Sequence, residues 1–234
     1  NSIMNYSIWK SYYHKIVEDL NLSQAQDEIA AEIFDQLIHI YSKNYISCQT
    51  LNDLINGKNV FIFGAAPSLE HDIENNKKYF DNSIVIAADG ATTAFLKYDI
   101  IPEIIVTDLD GIIADQIRAN ENNAILIIHA HGDNTTLIQK TIPRVKGPYF
   151  GTIQTDPKGL CYVRNFGGFT DGDRAVFIAD HFHPKVIYLG GFDCSVDPGF
   201  YSFQGQKNIK VKRKKLKWCN KLIQQFPKEY VRHL

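Results

Sequence analysis

The chain has 234 residues with 25 Lys+Arg against 26 Asp+Glu and is 44% hydrophobic, the composition of an ordinary globular protein and not of a disordered, fibrous or membrane chain. Folding at this length buries roughly 70% of the unfolded surface, so the core needs no disulfide or structural metal. The net charge of −1 argues against a basic nucleic-acid binder, yet it hides a split: residues 210–234 carry nine Lys/Arg and one Glu, a balance of +8, which leaves 16 basic and 25 acidic residues, or −9, elsewhere.

The four cysteines, Cys48, Cys161, Cys194 and Cys219, have no Cys-x-x-Cys or zinc-type Cys/His spacing and read as reduced thiols of a cytoplasmic protein. No apolar run approaches the roughly 18–20 residues of a membrane helix, so neither a membrane nor a nucleic acid is expected as a partner.

In chain order, residues 1–57 read as a helical extension. Residues 8–20 are amphipathic, and Ser23 with Gln26 makes a capping-box pattern before a helix that reaches about Tyr41 with Ile29, Ile33, Leu37 and Ile40 on one face. A third helix is expected from Thr50 as N-cap to Gly57 as stop. With no clustered chemistry, these helices are expected to serve packing or an interface, which leaves room for a homodimer.

Residues 58–234 read as one α/β domain. Apolar runs at 60–63, 84–88, 104–107, 124–128, 149–151 and 186–189 suit strands buried on both faces, and the intervening helical patterns give a doubly wound, mostly parallel, Rossmann-like sheet. Glycine and aspartate concentrate where these strands end. The first exit, Gly64-Ala65-Ala66-Pro67-Ser68, reads either as a phosphate cradle leading into a helix near Ser68 or as a plain structural turn. Asp108 and Asp110 sit two apart and project to one side if strand geometry continues. With Asp133, Asp171 and Asp173 from other exits they form an oxygen-only set that suits Mg²⁺ and a phosphate.

His129 and His131 alternate, and read as a transition-metal pair, as phosphate or substrate contacts, or as structural residues. Thr170 or Asp171 can cap the buried helix that follows, while Asp171 or Asp173 at a metal and Arg174 on a phosphate is the functional alternative. Gly-x-Ser-x-Gly is absent, which disfavours acyl-enzyme chemistry. In the tail, Leu216, Cys219, Leu222, Ile223 and Phe226 recur with helical spacing, so the lysines either coat a solvated face or serve a polyphosphate.

Together, the Gly64–Leu69 turn, Ala88-Asp89-Gly90-Ala91, the Pro-Glu-Ile-Ile-Val-Thr-Asp-Leu-Asp-Gly run over 102–111, His-Ala-His-Gly-Asp-Asn over 129–134 and Asn-Phe-Gly-Gly-Phe-Thr-Asp-Gly-Asp-Arg over 165–174 resemble the archaeal-type 6-hydroxymethyl-7,8-dihydropterin pyrophosphokinase family, itself distantly similar to thiamine pyrophosphokinases. The likeness spans nearly the whole chain. It implies Mg²⁺-dependent transfer of pyrophosphate from ATP to a pterin hydroxymethyl group with release of AMP, a step of tetrahydrofolate or tetrahydromethanopterin biosynthesis.

On that resemblance Asp108, Asp110 and Arg174 are the expected catalytic residues. Asp108, Asp110, Asp133, Asp171 and Asp173 are candidates for the metal, and Gly64, Ala65, Ser68, Asp89, Gly90, Asn134, Gly168 and Thr170 for the nucleotide or substrate. Ala66 stands where the family pattern has a second glycine, and Gly191-Phe192-Asp193-Cys194 replaces a Gly-Met-Asp-Phe type ending. The competing readings are a thiamine pyrophosphokinase, a non-catalytic nucleotide-binding module, and a glycosyltransferase-like nucleotide-binding protein of the flagellin-modification type.

Overall fold

Uninterrupted apolar runs become strands covered on both faces. The computed structural model describes residues 2–192 and 209–234. The last part of the 191–194 ending, Asp193-Cys194, lies outside them. Strands β1 (Asn59–Phe63), β2 (Ile84–Ala88), β3 (Ile104–Thr107), β4 (Ile125–Ala130), β5 (Tyr149–Ile153), β6 (Val186–Gly190) and β7 (Val231–His233) pair in parallel in the order β5-β4-β3-β2-β1-β6-β7. From β1 the chain steps outward to β5, then returns to β6 on the other side of β1, so the topological switch point lies between β1 and β6. Register brings the exits level: Phe63 stands opposite Gly190, Ala88 opposite Val106 and Thr107 opposite Ile128.

The helices are α1 (Tyr6–Leu20), α2 (Gln24–Ile40), α3 (Cys48–Ile55), α4 (Leu69–Asn76), α5 (Ala91–Lys97), α6 (Ile113–Glu121), α7 (Thr135–Thr141), α8 (Asp171–His181) and α9 (Ile209–Ile223). Alternate strand residues sort them into two layers. Val60, Ile62, Ile86, Val106 and Ile127 pack with Trp9, Tyr13 and Ile16 of α1 and with α3, α8 and α9. On the other face, Phe61, Phe63 and Val85 meet α4 and α5, while Ile105, Leu126 and Ile128 meet α2, α6 and α7. Helices α1 and α2 thus lie on opposite faces, and the turn at 21–23 crosses the carboxyl edge of the sheet. No helix of the described residues is long and apolar enough to cross a membrane.

Two local expectations are corrected, and one strand is added. On α2 the buried face is Ala30, Ala31, Phe34 and Ile38, with Ile29 and Ile40 exposed. The reason is Gly151 of β5, where a Cβ would come within 2.7 Å of Ile38 and 2.9 Å of Phe34: the small residues bring the helix close, and its larger neighbours turn outward. Helix α3 is capped by Ser47, whose Oγ accepts the Thr50 N–H, and not by Thr50 itself. Strand β7 had no apolar run to announce it and exists because Val231 pairs with Ile187.

Candidate active site

The strand exits open into one cleft of about 830 Å³ at the carboxyl edge. Asp89 follows β2, Asp108 follows β3 and Asp171 opens α8; one carboxylate oxygen from each lies within 4.8 Å of the others, the one such group of potential metal ligands among the described residues. Three oxygen donors, with no nitrogen or sulfur, suit a hard divalent cation such as Mg²⁺ better than zinc or copper.

Each carboxylate is aimed by its surroundings. Asp89 adopts a left-handed backbone (φ 42°), and its Oδ1 accepts from Thr107 Oγ1 at 2.8 Å, Gln116 Nε2 at 2.8 Å and the Gly111 N–H at 3.1 Å. Three donors on one oxygen leave the other for the cluster. Burial, and then the charge of Asp108, push the Asp89 carboxyl up to about 7. Burial, followed by Asp108 and Asp89, likewise raises Asp171 well above the usual carboxylate range. Three carboxylates held this close disfavour one another's ionised form, and a cation between them would remove that penalty.

Asp110 corrects an expectation. The strand ends at Thr107, and Leu109 at φ 67° turns the chain, so Asp110 does not extend from Asp108 at strand spacing. It lines the cleft outside the group of three, and its N–H donates to Asp108 Oδ1 at 3.2 Å. Asp133 lines the cleft from an exposed position. Asp173 is fully buried in a capping box: it accepts the N–H groups of Phe169 and Thr170 and the Thr170 hydroxyl. Thr170 is thus the N-cap, one of the two capping residues expected, with Asp173 closing the box, and Asp171 is left for the cluster.

Arg174, buried beside them, donates from Nη1 to Asp171 Oδ1 at 2.7 Å and from Nη2 to the Phe169 carbonyl at 2.7 Å, while its Nε has no protein partner among the described residues. Gly168 makes this packing feasible: at φ 90°, a Cβ there would lie 2.3 Å from Arg174 Cα.

The histidines separate. His129 is buried, with Nδ1 at 2.9 Å from Thr152 Oγ1 and Nε2 at 3.1 Å from Gln154 Oε1; burial holds its pKa well below the usual imidazole value, so it is neutral. Both ring nitrogens are occupied, which overturns the transition-metal reading. His131 Nδ1 accepts the Asp133 N–H, so Nε2 carries the proton and faces Asp108 Oδ2 at 3.3 Å. Asn134 braces the two exits from beneath, donating to the Asp108 and His129 carbonyls and accepting from the His131 N–H; it does not line the cleft, nor do Ser68 and Gly168, whereas Gly64, Ala65, Gly90 and Thr170 do.

Two amides of the first turn are engaged within the protein. Its Gly64 and Ala66 N–H groups donate to the Gly190 and Gly191 carbonyls at 2.9 and 3.0 Å, and the Gly191 N–H is taken by Asp72 of α4. Gly64 and Gly191 need to be glycine, since a Cβ on either would stand 2.8 or 2.2 Å from the other's carbonyl oxygen. These amides close the switch point and are not turned to a ligand.

Two walls come from outside the strand exits. Asn21, Leu22, Ser23, Gln26 and Asp27 of the N-terminal hairpin line the cleft, so the extension does more than pack. Asp27 is buried and accepts from Tyr13 Oη at 2.5 Å, Gln154 Nε2 at 2.7 Å and the Gly132 N–H at 2.7 Å, tying α1, α2 and the His131 loop together. A lone Asp on the apolar side of a helix was the available signal. The other wall is α9, through Val211, Lys212, Lys215, Leu216 and Cys219.

A family model described as 6-hydroxymethylpterin diphosphokinase MptE-like matches residues 35–199. The chain belongs to that family. Among its curated relatives it is 40% identical to the 6-hydroxymethyl-7,8-dihydropterin pyrophosphokinase of Pyrococcus furiosus, with 94% of each chain covered. It is 39% identical to the protein of the same name from Methanocaldococcus jannaschii, covering 94% of this chain and 95% of that one. Among solved structures, the MAf glycosyltransferase from Magnetospirillum magneticum AMB-1 superposes with a TM-score of 0.51 at 14% identity over 88% of this chain and 38% of that one, a likeness of fold alone. The MptE-like match takes in the aspartate cluster, whereas residues 21–27 and 211–219 of the cleft wall fall outside its span.

Proposed function

We propose that this chain transfers the pyrophosphoryl group of ATP to the hydroxymethyl oxygen of 6-hydroxymethyl-7,8-dihydropterin and releases AMP. The observation that carries the reading is the cluster of Asp89, Asp108 and Asp171 at the strand exits, in a chain of the MptE-like family. The acceptor oxygen bonds to the β-phosphorus as its hydroxyl proton is released, while the bridge to the α-phosphate breaks and the bridging oxygen leaves with AMP. Such a transfer depends on positioning and charge neutralisation more than on a strong base.

Asp89, Asp108 and Asp171 would hold Mg²⁺, which when bound neutralises charge on the phosphoryl oxygens. His131 Nε2 orients Asp108, and Arg174 orients Asp171. The buried Nε of Arg174 is a donor that a phosphate oxygen satisfies. Phe169 supplies an apolar surface in the same cleft, and the α1–α2 turn forms one of its walls.

The test is an acceptor panel. With ATP and Mg²⁺, AMP release is expected with the hydroxymethyl dihydropterin and not with thiamine. Preference for thiamine, or ATP binding without AMP release under any acceptor, would overturn the assignment.

A further inference from the structure

The basic tail noted in the sequence is concentrated on α9, and helical spacing divides that helix between two tasks. Lys214 and Trp218, four apart, dock on Asp19 near the end of α1: Lys214 Nζ donates to the Asp19 carbonyl at 3.0 Å and lies 3.3 Å from Oδ1, and Trp218 Nε1 donates to Oδ2 at 2.9 Å. The adjacent stripe, Val211, Lys212, Lys215, Leu216 and Cys219, recurs at intervals of three and four and lines the cleft. Cys219 is buried and Lys212, Lys215 and Leu216 are half-buried, so this part of the stripe faces inward, while Val211, Arg213 and Lys217 are exposed.

The cleft needs these cations. Its wall carries Asp27, Asp89, Asp108, Asp110, Asp133 and Asp171 against Arg174, Lys212 and Lys215. Arg174 sits among the aspartates with its Nη1 on Asp171, and Lys212 and Lys215 are the other Lys/Arg side chains of this lining. A triphosphate retains negative charge after one divalent ion has bound, and cations lining the same cleft offset it.

Building on the nucleotide reading above, we propose that Lys212 and Lys215 contact the β- and γ-phosphates of the bound nucleoside triphosphate, and that Asp19 is the positioning residue that holds α9 where it offers them. Asp19 does so from outside the cleft, by fixing the helix's rotation about its axis.

The test measures binding of Mg²⁺-ATP and of AMP to the full chain by calorimetry, without acceptor. Lys212→Gln and Lys215→Gln should each weaken ATP about tenfold, with AMP unchanged and a shallower salt dependence than the wild type. Asp19→Ala should raise KM for ATP several-fold with kcat held, and Asp19→Asn, which keeps the acceptor for Trp218, should recover part of the loss. Unchanged ATP affinity in both lysine variants at low salt, or equal losses for ATP and AMP, would overturn the proposal. A wild type that binds ATP but turns over no pterin would sink the acceptor assignment and leave this inference standing, whereas one that binds no triphosphate sinks both.

Discussion

Replacing Asp89 by asparagine should raise stability while removing activity. The asparagine keeps an oxygen for Thr107, Gln116 and the Gly111 N–H and tolerates the left-handed backbone at φ 42°, so the change is close to isosteric. What it removes is a carboxylate that burial and Asp108 have raised to about 7 from 3.8. A folded-state pKa above the unfolded one means that the folded chain binds more protons, so its stability is fully present below pH 4 and is lost as pH rises through about 7. At 1.36 kcal/mol per unit, the ionised group costs the metal-free protein roughly 4 kcal/mol at pH 8. For a chain of this size that corresponds to a melting temperature higher by on the order of 10 °C in the variant. Thermal unfolding in EDTA from pH 5 to 8.5 should show a falling curve for the wild type and a flatter one for Asp89→Asn. Added Mg²⁺ should stabilise the wild type at pH 8 and leave the variant nearly unmoved. A variant no more stable than the wild type at pH 8, or one that retains turnover, would refute the electrostatic account of the cluster.

Other substitutions separate ligands from struts. Asp108→Asn should abolish AMP formation without lowering the melting temperature, whereas Asp133→Asn, exposed at the rim, should leave kcat within about threefold. Asp173→Ala removes the acceptor for the Phe169 and Thr170 amides and should cost about 2–4 kcal/mol in urea unfolding; an inactive but fully stable variant would return Asp173 to the metal site. Asp27→Ala leaves Gln154 Nε2 and the Tyr13 hydroxyl unsatisfied in the interior, so a loss of about 3 kcal/mol is expected, with Asp27→Asn recovering part. Gly168→Ala, which would drive a Cβ to 2.3 Å from Arg174 Cα, should lower both stability and kcat, measured by calorimetric melting and AMP release.

Much of the sheet was legible because a strand buried on both faces must be apolar throughout, and the runs at 84–88 and 104–107 coincide with β2 and β3 residue for residue. The face of α2 was not, because Ala30 and Ala31 are weak hydrophobic signals and the partner that makes them the contact face, Gly151, lies more than a hundred residues on. The aspartates were legible as a set and not as individuals. Spacing treats Asp108 and Asp110 alike, and only the left-handed turn at Leu109 separates them. Asp171 and Asp173 differ by which one meets the Phe169 and Thr170 amides.

By itself, then, the sequence determined the layered α/β architecture and the edge where the chemistry gathers, since both follow from local runs of apolar, glycine and acidic residues. The tertiary structure alone decided which three carboxylates meet, and it brought Asp27, Lys212 and Lys215 to the same cleft from opposite ends of the chain. Side-chain direction depends on a few backbone angles and on how helices seat against the sheet, and no short-range pattern encodes that.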